Sequence, residues 1–129
     1  MASAVTLRVL IAEDNTDTAG SLKMLLESFG YEVHVINDGE SAVPAASALK
    51  PDVIIMDIGL PGLSGYDAAR RIRARNPGMP VRIVALTGLD QLIDRQRSAE
   101  AGIDHHLVKP ADPAVLQQIL DSTPAQGTG

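Results

Sequence analysis

Polar side chains follow four of the short apolar segments in this sequence. Glu13 and Asp14 follow the letters VLIA, Asp57 follows VIIM, Thr87 follows IVAL and Lys109 follows HHLV. If these segments are strands of one parallel sheet, their carboxyl ends share an edge, and that edge is where open α/β sheets bind ligands. The pattern therefore predicts a cleft that contains three carboxylates, a hydroxyl group and an ammonium group.

The three carboxylates predict a bound cation in the cleft. Crowded carboxylates repel one another and raise each other's pKa unless a cation lies among them. The candidate ligands are all oxygen atoms and the chain has no cysteine, which favours a hard ion, most simply Mg²⁺. The metal and Lys109 together would suit a phosphoryl group, to which Thr87 would donate a hydrogen bond. Asp57 would also be able to act as a nucleophile and form an aspartyl phosphate.

Each of these residues also has an ordinary structural explanation. Asp is a frequent helix cap, which would explain Asp14 without any ligand. Asp57 precedes Gly59 and Pro61, so it could start a turn, and Thr87 and Lys109 could be surface residues. Because four strand ends carry reactive groups at one edge, a common site is favoured over four separate coincidences.

Five short apolar segments predict the strands of that sheet, at residues 8–12, 31–36, 52–56, 82–86 and 103–108. Four of them are nearly continuous apolar runs, which is typical of strands covered on both faces in a parallel sheet. The segment at 31–36, YEVHVI, alternates between apolar and polar residues instead. That alternation indicates an edge strand.

The segments between the strands have helical patterns. Apolar residues at 22, 25, 26 and 29 share one helix face, and Gly30 follows as a C-terminal cap. Further helices are predicted at residues 64–75, 90–101 and 112–120, with a weaker pattern at 40–49. Within the last of these, Pro44 predicts a short helix or one that begins there. Alternating strands and helices predict a single α/β domain, a doubly wound (βα)5 sandwich around a parallel sheet.

The composition excludes several classes of protein. The 129 residues carry a formal net charge of −5, no cysteine, and only two tyrosines and one phenylalanine. Disulfides and thiolate metal sites are therefore excluded, and an acidic chain with few aromatic rings does not suit general nucleic-acid binding. No apolar run reaches the roughly 18 residues of a membrane span, and no secretory signal is visible. We therefore expect a cytoplasmic domain without nucleic-acid or membrane contacts.

Four motifs of the chain resemble those of the receiver domain of bacterial two-component response regulators. They are VLIAEDN, PDVIIMDIGLPGLSGYD, IVALTG and AGIDHHLVKP, and together they span nearly the whole chain. The resemblance implies a flavodoxin-like fold with the strand order 2-1-3-4-5. It also implies one receiver domain at residues 7–121, with flexible termini at residues 1–6 and 122–129. Single-domain regulators and the receivers of hybrid sensor histidine kinases are the most similar kinds.

The same resemblance implies a role for the acidic residues. Asp57 would accept a phosphoryl group from a phosphohistidine of a histidine kinase or a histidine phosphotransfer protein. Asp14, Asp57 and the backbone carbonyl of Gly59 would bind Mg²⁺, and Glu13 would reach the ion through water. The chain would then phosphorylate and dephosphorylate itself rather than turn over a separate substrate.

A role is also implied for the residues of the last two strands. Lys109 would pair with the phosphoryl group, and Thr87 would move inward to hydrogen-bond it. The Lys109–Pro110 peptide bond would be cis, and His106 occupies the switch position at which the family usually has Tyr or Phe. The charge of a histidine there would make the switch sensitive to pH. His105 and His106 do not suit one metal ion, because neighbouring strand residues point to opposite faces.

Two other functions stay open at this point. One is a receiver fold that docks to proteins without phosphate, and the other is a hydrolase of phosphate esters with an aspartyl nucleophile. Such hydrolases usually carry a second Asp two residues after the nucleophile, where this chain has Gly59. Since the last predicted helix ends near residue 121, we expect no output domain, and signalling through a protein that contacts the fourth helix, fifth strand and fifth helix.

Overall fold

Ten elements alternate between strand and helix in the computed structural model of the chain, which describes residues 6–88 and 93–125. They are β1 (Arg8–Ala12), α1 (Thr16–Ser28), β2 (Glu32–Ile36), α2 (Gly39–Leu49), β3 (Val53–Asp57), α3 (Gly65–Arg75), β4 (Arg82–Thr87), α4 (Arg95–Ala101), β5 (His105–Val108) and α5 (Pro113–Asp121). None of the helices in these ranges is both long and apolar enough to cross a membrane.

The five strands form one parallel sheet in the order β2-β1-β3-β4-β5. This order and the (βα)5 architecture confirm the predicted fold. The order reverses direction at β1, and the crevice at such a reversal is where open α/β sheets bind ligands. The predicted edge strand, β2, does lie at the edge of the sheet.

An apolar layer covers each face of the sheet. Alternate residues along β1 belong to different layers, so that Leu10 packs with α2 and α3 residues, whereas Val9 and Ile11 pack with α1 and α5 residues. The central strands β1 and β3 are almost wholly buried. Since both faces are covered, these strands need no polar alternation, which explains their continuous apolar sequence.

Two helices differ from their predicted extents. The second helix begins at Gly39 rather than at Pro44, because the Asp38 carboxylate accepts a hydrogen bond from Ser41 N and caps it. Pro44 lies inside that helix at an exposed position. The fourth helix begins at Arg95, after the cap Asp94, whereas residue 90, its predicted start, lies outside the described residues.

The ends of the described chain lie at the edge of the sheet opposite the strand carboxyl ends. Tyr31 Oη donates a hydrogen bond to Asp121 Oδ1 at 2.8 Å and so joins the start of β2 to the end of α5. Thr6 and Ala125 line the same surface cavity there. Residues 1–5 and 126–129 of the predicted flexible termini lie outside the described ranges, and Thr123 is buried.

The start of α3 touches the end of β3 so closely that only glycine fits there. A Cβ atom on Gly65 would lie 2.6 Å from the carbonyl oxygen of Asp57 and 2.7 Å from Ile58 Cα. The Gly65 N–H also donates to the Ile58 carbonyl at 2.8 Å. The position of the Asp57 peptide therefore depends on the absence of a side chain at residue 65.

We predict that Gly65→Ala destabilises the fold by about 2 kcal/mol, because the added methyl group must push the backbone after β3 away. The matched control is Gly20→Ala on α1, where a Cβ atom meets nothing within 4 Å. That change should stabilise the fold by about 0.5–1 kcal/mol, since alanine favours helix over glycine. Urea unfolding of both variants measures the difference, and equal midpoints would refute the close-contact argument.

Candidate functional site

The strand register brings the predicted site residues to one edge. Ala12 pairs with Met56 across β1 and β3, so Glu13 and Asp57 follow at the same level. Thr87 pairs with Val108 across β4 and β5, so Lys109 lies one residue beyond it. Glu13, Asp57 and Thr87 are buried, and Asp14 is exposed at the mouth of the cleft.

Carboxylate oxygens from Glu13, Asp14 and Asp57, one from each residue, all lie within 4.8 Å of one another. Lys109 contacts two of these groups, with Nζ at 2.7 Å from Asp57 Oδ2 and at 2.5 Å from Glu13 Oε1. The Lys109–Pro110 peptide bond is cis. The structure thus places the predicted carboxylates and the predicted ammonium group in one cluster.

Burial and charge shift two of the pKa values in this cluster. Burial raises the pKa of the Glu13 carboxyl, and the nearby charge of Asp57 adds to that rise, against opposing hydrogen bonds from Lys109 and Asn15. Burial by itself would lower the pKa of Lys109, but the carboxylates of Asp57 and Glu13 raise it above its ordinary value. Lys109 is therefore a permanent cation at neutral pH.

Asp57 is held on both of its carboxylate oxygens. The Gly59 N–H donates to Oδ1 at 2.8 Å, and Lys109 donates to Oδ2 at 2.7 Å. Gly59 lies in the turn after β3, and the part of its carbonyl oxygen as a metal ligand stays a prediction. The two hydrogen bonds fix the carboxylate plane, which is the arrangement that a positioned nucleophile requires.

The residues around the cluster suit a hard divalent cation. Glu13 Oε1 is fully buried and contacts the Lys109 ammonium group at 2.5 Å, a contact that takes up one of its two lone pairs. A buried carboxylate oxygen with an unused lone pair needs a further partner. The three carboxylates offer only oxygen ligands, and such sets favour Mg²⁺ or Ca²⁺ over softer metals. The structure and the donor chemistry therefore fit the predicted ion.

The Thr87 hydroxyl group points toward β5. It donates a long hydrogen bond, 3.4 Å, to the carbonyl oxygen of Leu107. Thr87 is 1% exposed, so its hydroxyl group is shielded from bulk water. The register pairs Thr87 with Val108 and Ala85 with His106, so the two predicted switch residues lie on neighbouring strands, two residues apart in register.

His106 is tied to α4 by a contact that the sequence did not reveal. Its Nε2 lies 2.5 Å from Ser98 Oγ, and Ser98 is 2% exposed. Burial lowers the pKa of His106, and the positive charge of Arg95 and the neighbouring His105 lower it further. In the sequence, Ser98 is one polar residue among several in the segment RQRSAEA, so nothing there marks it as the partner of His106. His34 hydrogen-bonds Glu32 on β2, away from the cluster.

A second residue missed by the sequence analysis is Asn37, which follows β2. Its Nδ2 donates to the Glu13 carbonyl oxygen at 3.1 Å, and Glu13 N–H donates to the Ile36 carbonyl. The loop after the edge strand therefore supports the acidic pair. The sequence Asn37-Asp38-Gly39 is typical of a turn, and that pattern gives no sign of a contact with Glu13.

Comparison with known proteins gives one family. Residues 9–121 match the family described as "Response regulator receiver domain". The chain resembles the crystal structure of the receiver domain of sensor histidine kinase PA1611 from Pseudomonas aeruginosa PAO1, which has a magnesium ion coordinated in its active site cleft. The two are 40% identical, the match covers 90% of this chain and 95% of that one, and the TM-score is 0.80.

Two further matches are with proteins of other organisms. One is a co-crystal structure of the Saccharomyces cerevisiae histidine phosphotransfer protein Ypd1 with the receiver domain of its downstream response regulator Ssk1. It is 29% identical, covers 92% of this chain and 89% of that one, and has a TM-score of 0.78. The other is the DNA-binding response regulator MtrA of Mycobacterium tuberculosis, 36% identical over 109 residues, or 84% of this chain. This chain spans less than half the length of the curated relatives that it matches first.

We predict that protonation of His106 lowers the free energy of unfolding at pH 5.5 relative to pH 7.5. Because its pKa is lowered in the folded state, the unfolded chain binds a proton more readily. The contribution of His106 to stability is complete above its ordinary pKa of 6.5 and is lost as the pH falls through the lower folded pKa. Wild type and His106→Gln would be unfolded in urea at pH 7.5 and pH 5.5. The wild type should lose more free energy of unfolding than the variant, and equal losses would exclude this role of His106.

Proposed function

This chain belongs to the response regulator receiver family, and we propose that it accepts a phosphoryl group on Asp57 and relays it as a signal. Receivers act in phosphorylation-based two-component signalling. The observation that carries the proposal for this chain is the Asp57 carboxylate, buried at a strand end and held between the Gly59 N–H and the Lys109 ammonium group. A group in that environment is suited to nucleophilic attack rather than to surface solvation.

The chemistry is a transfer between two nucleophiles. An oxygen of the Asp57 carboxylate attacks the phosphorus atom of a phosphohistidine, a P–O bond forms and the P–N bond breaks. The electron pair of the broken bond stays on the imidazole nitrogen of the donor, and an acyl phosphate results. Lys109 is 2.7 Å from Asp57, close enough to offset charge on the transferred oxygens, and the Thr87 hydroxyl group would turn from Leu107 to donate to one of them.

Mg²⁺ is the proposed cofactor. Asp14, Asp57 and the Gly59 carbonyl would hold it directly, with Glu13 acting through water. When bound, the ion would neutralise negative charge on the phosphoryl oxygens. The cluster of three carboxylates and the magnesium ion in the similar PA1611 receiver support this assignment. The position of Asp14 at the exposed rim leaves it open to an ion that keeps several waters, as Mg²⁺ does.

The partners follow from the chemistry. The donor would be a histidine kinase or a histidine phosphotransfer protein, which the similarity to the Ypd1–Ssk1 receiver complex supports. A protein on the α4, β5 and α5 face would read the phosphorylated state, with Thr87 and His106 as the switch. We propose a cytoplasmic domain that itself contacts neither nucleic acid nor membrane. Similar regulators such as MtrA are DNA-binding, and this chain spans 46% of that protein.

Phosphorylation tests the proposal directly. Incubation with acetyl phosphate and Mg²⁺ should add one phosphoryl group to the wild-type chain, seen in the intact mass, because acetyl phosphate is a small phosphoryl donor. Asp57→Asn should gain none, and EDTA should abolish the adduct. Asp17→Asn serves as the control, since Asp17 is exposed in the first turn of α1 and outside the cluster.

The alternatives give different results in the same experiment. A docking domain that works without phosphate would form no adduct and bind no beryllofluoride. A turnover hydrolase would release phosphate repeatedly from phosphate esters, with the rate lost in Asp57→Asn. Absence of an adduct in the wild type, with beryllofluoride also without effect, would refute the proposed function.

Magnesium binding should stabilise the folded chain. At a Mg²⁺ concentration tenfold above the Kd, binding to the folded state alone adds about 1.4 kcal/mol to the free energy of unfolding. Asp14→Asn should lose most of this gain, because it removes an exposed ligand without opening the core. Asp17→Asn should keep it. The measurement is thermal unfolding with and without Mg²⁺, and a gain of the same size in both variants would place the ion elsewhere.

A further inference from the structure

Helix α4 buries less apolar side chain than the other helices of the described residues. Its seven residues, RQRSAEA, include only two buried ones, Ser98 and Ala101. By contrast, α1 buries Leu22 and Leu26, and α3 buries Ile72. Since buried apolar area supplies most of the stabilisation of a docked helix, α4 gains little from that source. Polar contacts must account for its position.

The first such contact is at the start of the helix. The backbone N–H of Asp94, the residue that caps α4, donates to Tyr66 Oη at 2.9 Å. Tyr66 belongs to α3 and is 6% exposed, so its ring is fixed in the core. The Arg97 guanidinium group lies over the same ring, at 4.7 Å from its centroid. The beginning of α4 is therefore attached to α3 through the buried Tyr66 side chain, and the half-exposed Arg97 adds an ion pair with Asp67 at 3.6 Å.

The second contact is one turn further along. Ser98 Oγ lies 2.5 Å from His106 Nε2 on β5. Because Ser98 is 2% exposed, its hydroxyl group has no ready access to water, and loss of the histidine partner would leave a buried polar group unsatisfied. Such a group costs more than the hydrogen bond itself contributes. Loss of the histidine partner would therefore cost more free energy than the Ser98–His106 hydrogen bond itself contributes.

We propose that the hydrogen bonds Tyr66–Asp94 and Ser98–His106 form a two-point latch, and that α4 opens locally as a unit more often when either one is lost. This opening needs much less free energy than global unfolding, because few apolar contacts break with it. The latch joins α4 to two different elements, α3 and β5. Its strength sets how often the surface under α4, including Tyr66 and His106, becomes accessible to a binding protein.

The latch extends the proposed function but does not depend on it. Neither hydrogen bond involves Asp57, Lys109 or another residue of the acidic cluster. The experiment below uses the full chain without a phosphodonor or Mg²⁺. Its failure would leave phosphorylation of Asp57 untouched, and failure of phosphorylation would leave the latch untouched.

Hydrogen–deuterium exchange at pH 7.5 tests the latch in the full chain. Tyr66→Phe removes one hydroxyl group and keeps the ring under Arg97. Ser98→Ala removes the other hydroxyl group while raising intrinsic helix propensity. In each variant, amides of residues 95–101 should exchange about fivefold faster, which corresponds to the loss of one hydrogen bond worth about 1 kcal/mol.

The control is Tyr31→Phe, which removes the hydrogen bond to Asp121 at the opposite edge of the sheet. It should leave exchange in α4 unchanged. Urea unfolding of every variant separates a local effect from global loss of stability. Unchanged exchange of α4 in Tyr66→Phe and Ser98→Ala would overturn the latch, as would acceleration of the same size in α1, α3 and α5.

Discussion

Two buried carboxylates meet at one ammonium group in this structure, because Lys109 Nζ lies 2.5 Å from Glu13 and 2.7 Å from Asp57. Removing two such charges from water costs several kcal/mol each, and only close charged partners offset that cost. Lys109 supplies one positive charge against the two, which leaves the cluster short of positive charge even before Asp14 is counted. Because the excess negative charge is unfavourable, the packing of the sheet must supply the free energy that keeps these side chains together.

The apolar layers on both faces of the sheet provide that support. The strands β1 and β3, which carry Glu13 and Asp57 at their ends, are almost wholly buried. Their register fixes the level of the two carboxylates to within one residue. A cluster with excess negative charge is unfavourable for folding, and it is favourable for a site that must attract a cation. The apolar core supplies the stability, and the residues at the carboxyl ends of the strands can therefore serve the function.

The sequence was most informative where one physical pattern recurs along the chain. Continuous apolar runs predicted the buried strands, and the polar residues after them predicted the cleft, because strand ends in a parallel sheet must share an edge. It was less informative where a helix lacks an apolar face. The first residue of α4 is fixed by the cap Asp94 rather than by any periodic pattern, and Pro44 is tolerated because it lies on the exposed side of α2.

The contacts that side chains make with distant elements could not be predicted from the sequence. The contact of Ser98 with His106 and the hydrogen bond from Asp94 to Tyr66 depend on how helices sit against the sheet. The same holds for the Thr87 hydroxyl group, which points to Leu107 in this structure. Each of these depends on tertiary packing, whereas hydrophobic patterns record only which face of an element is covered.

The hydrogen bond between Tyr31 and Asp121 has a consequence for any study that modifies the protein. It ties the last helix to the edge of the sheet far from the acidic cluster, where Thr6 and Ala125 line one cavity. A fluorophore, affinity handle or surface linker attached near either of these residues would therefore project away from the cleft. If the protein is immobilised through that edge, its acidic cluster faces the solution.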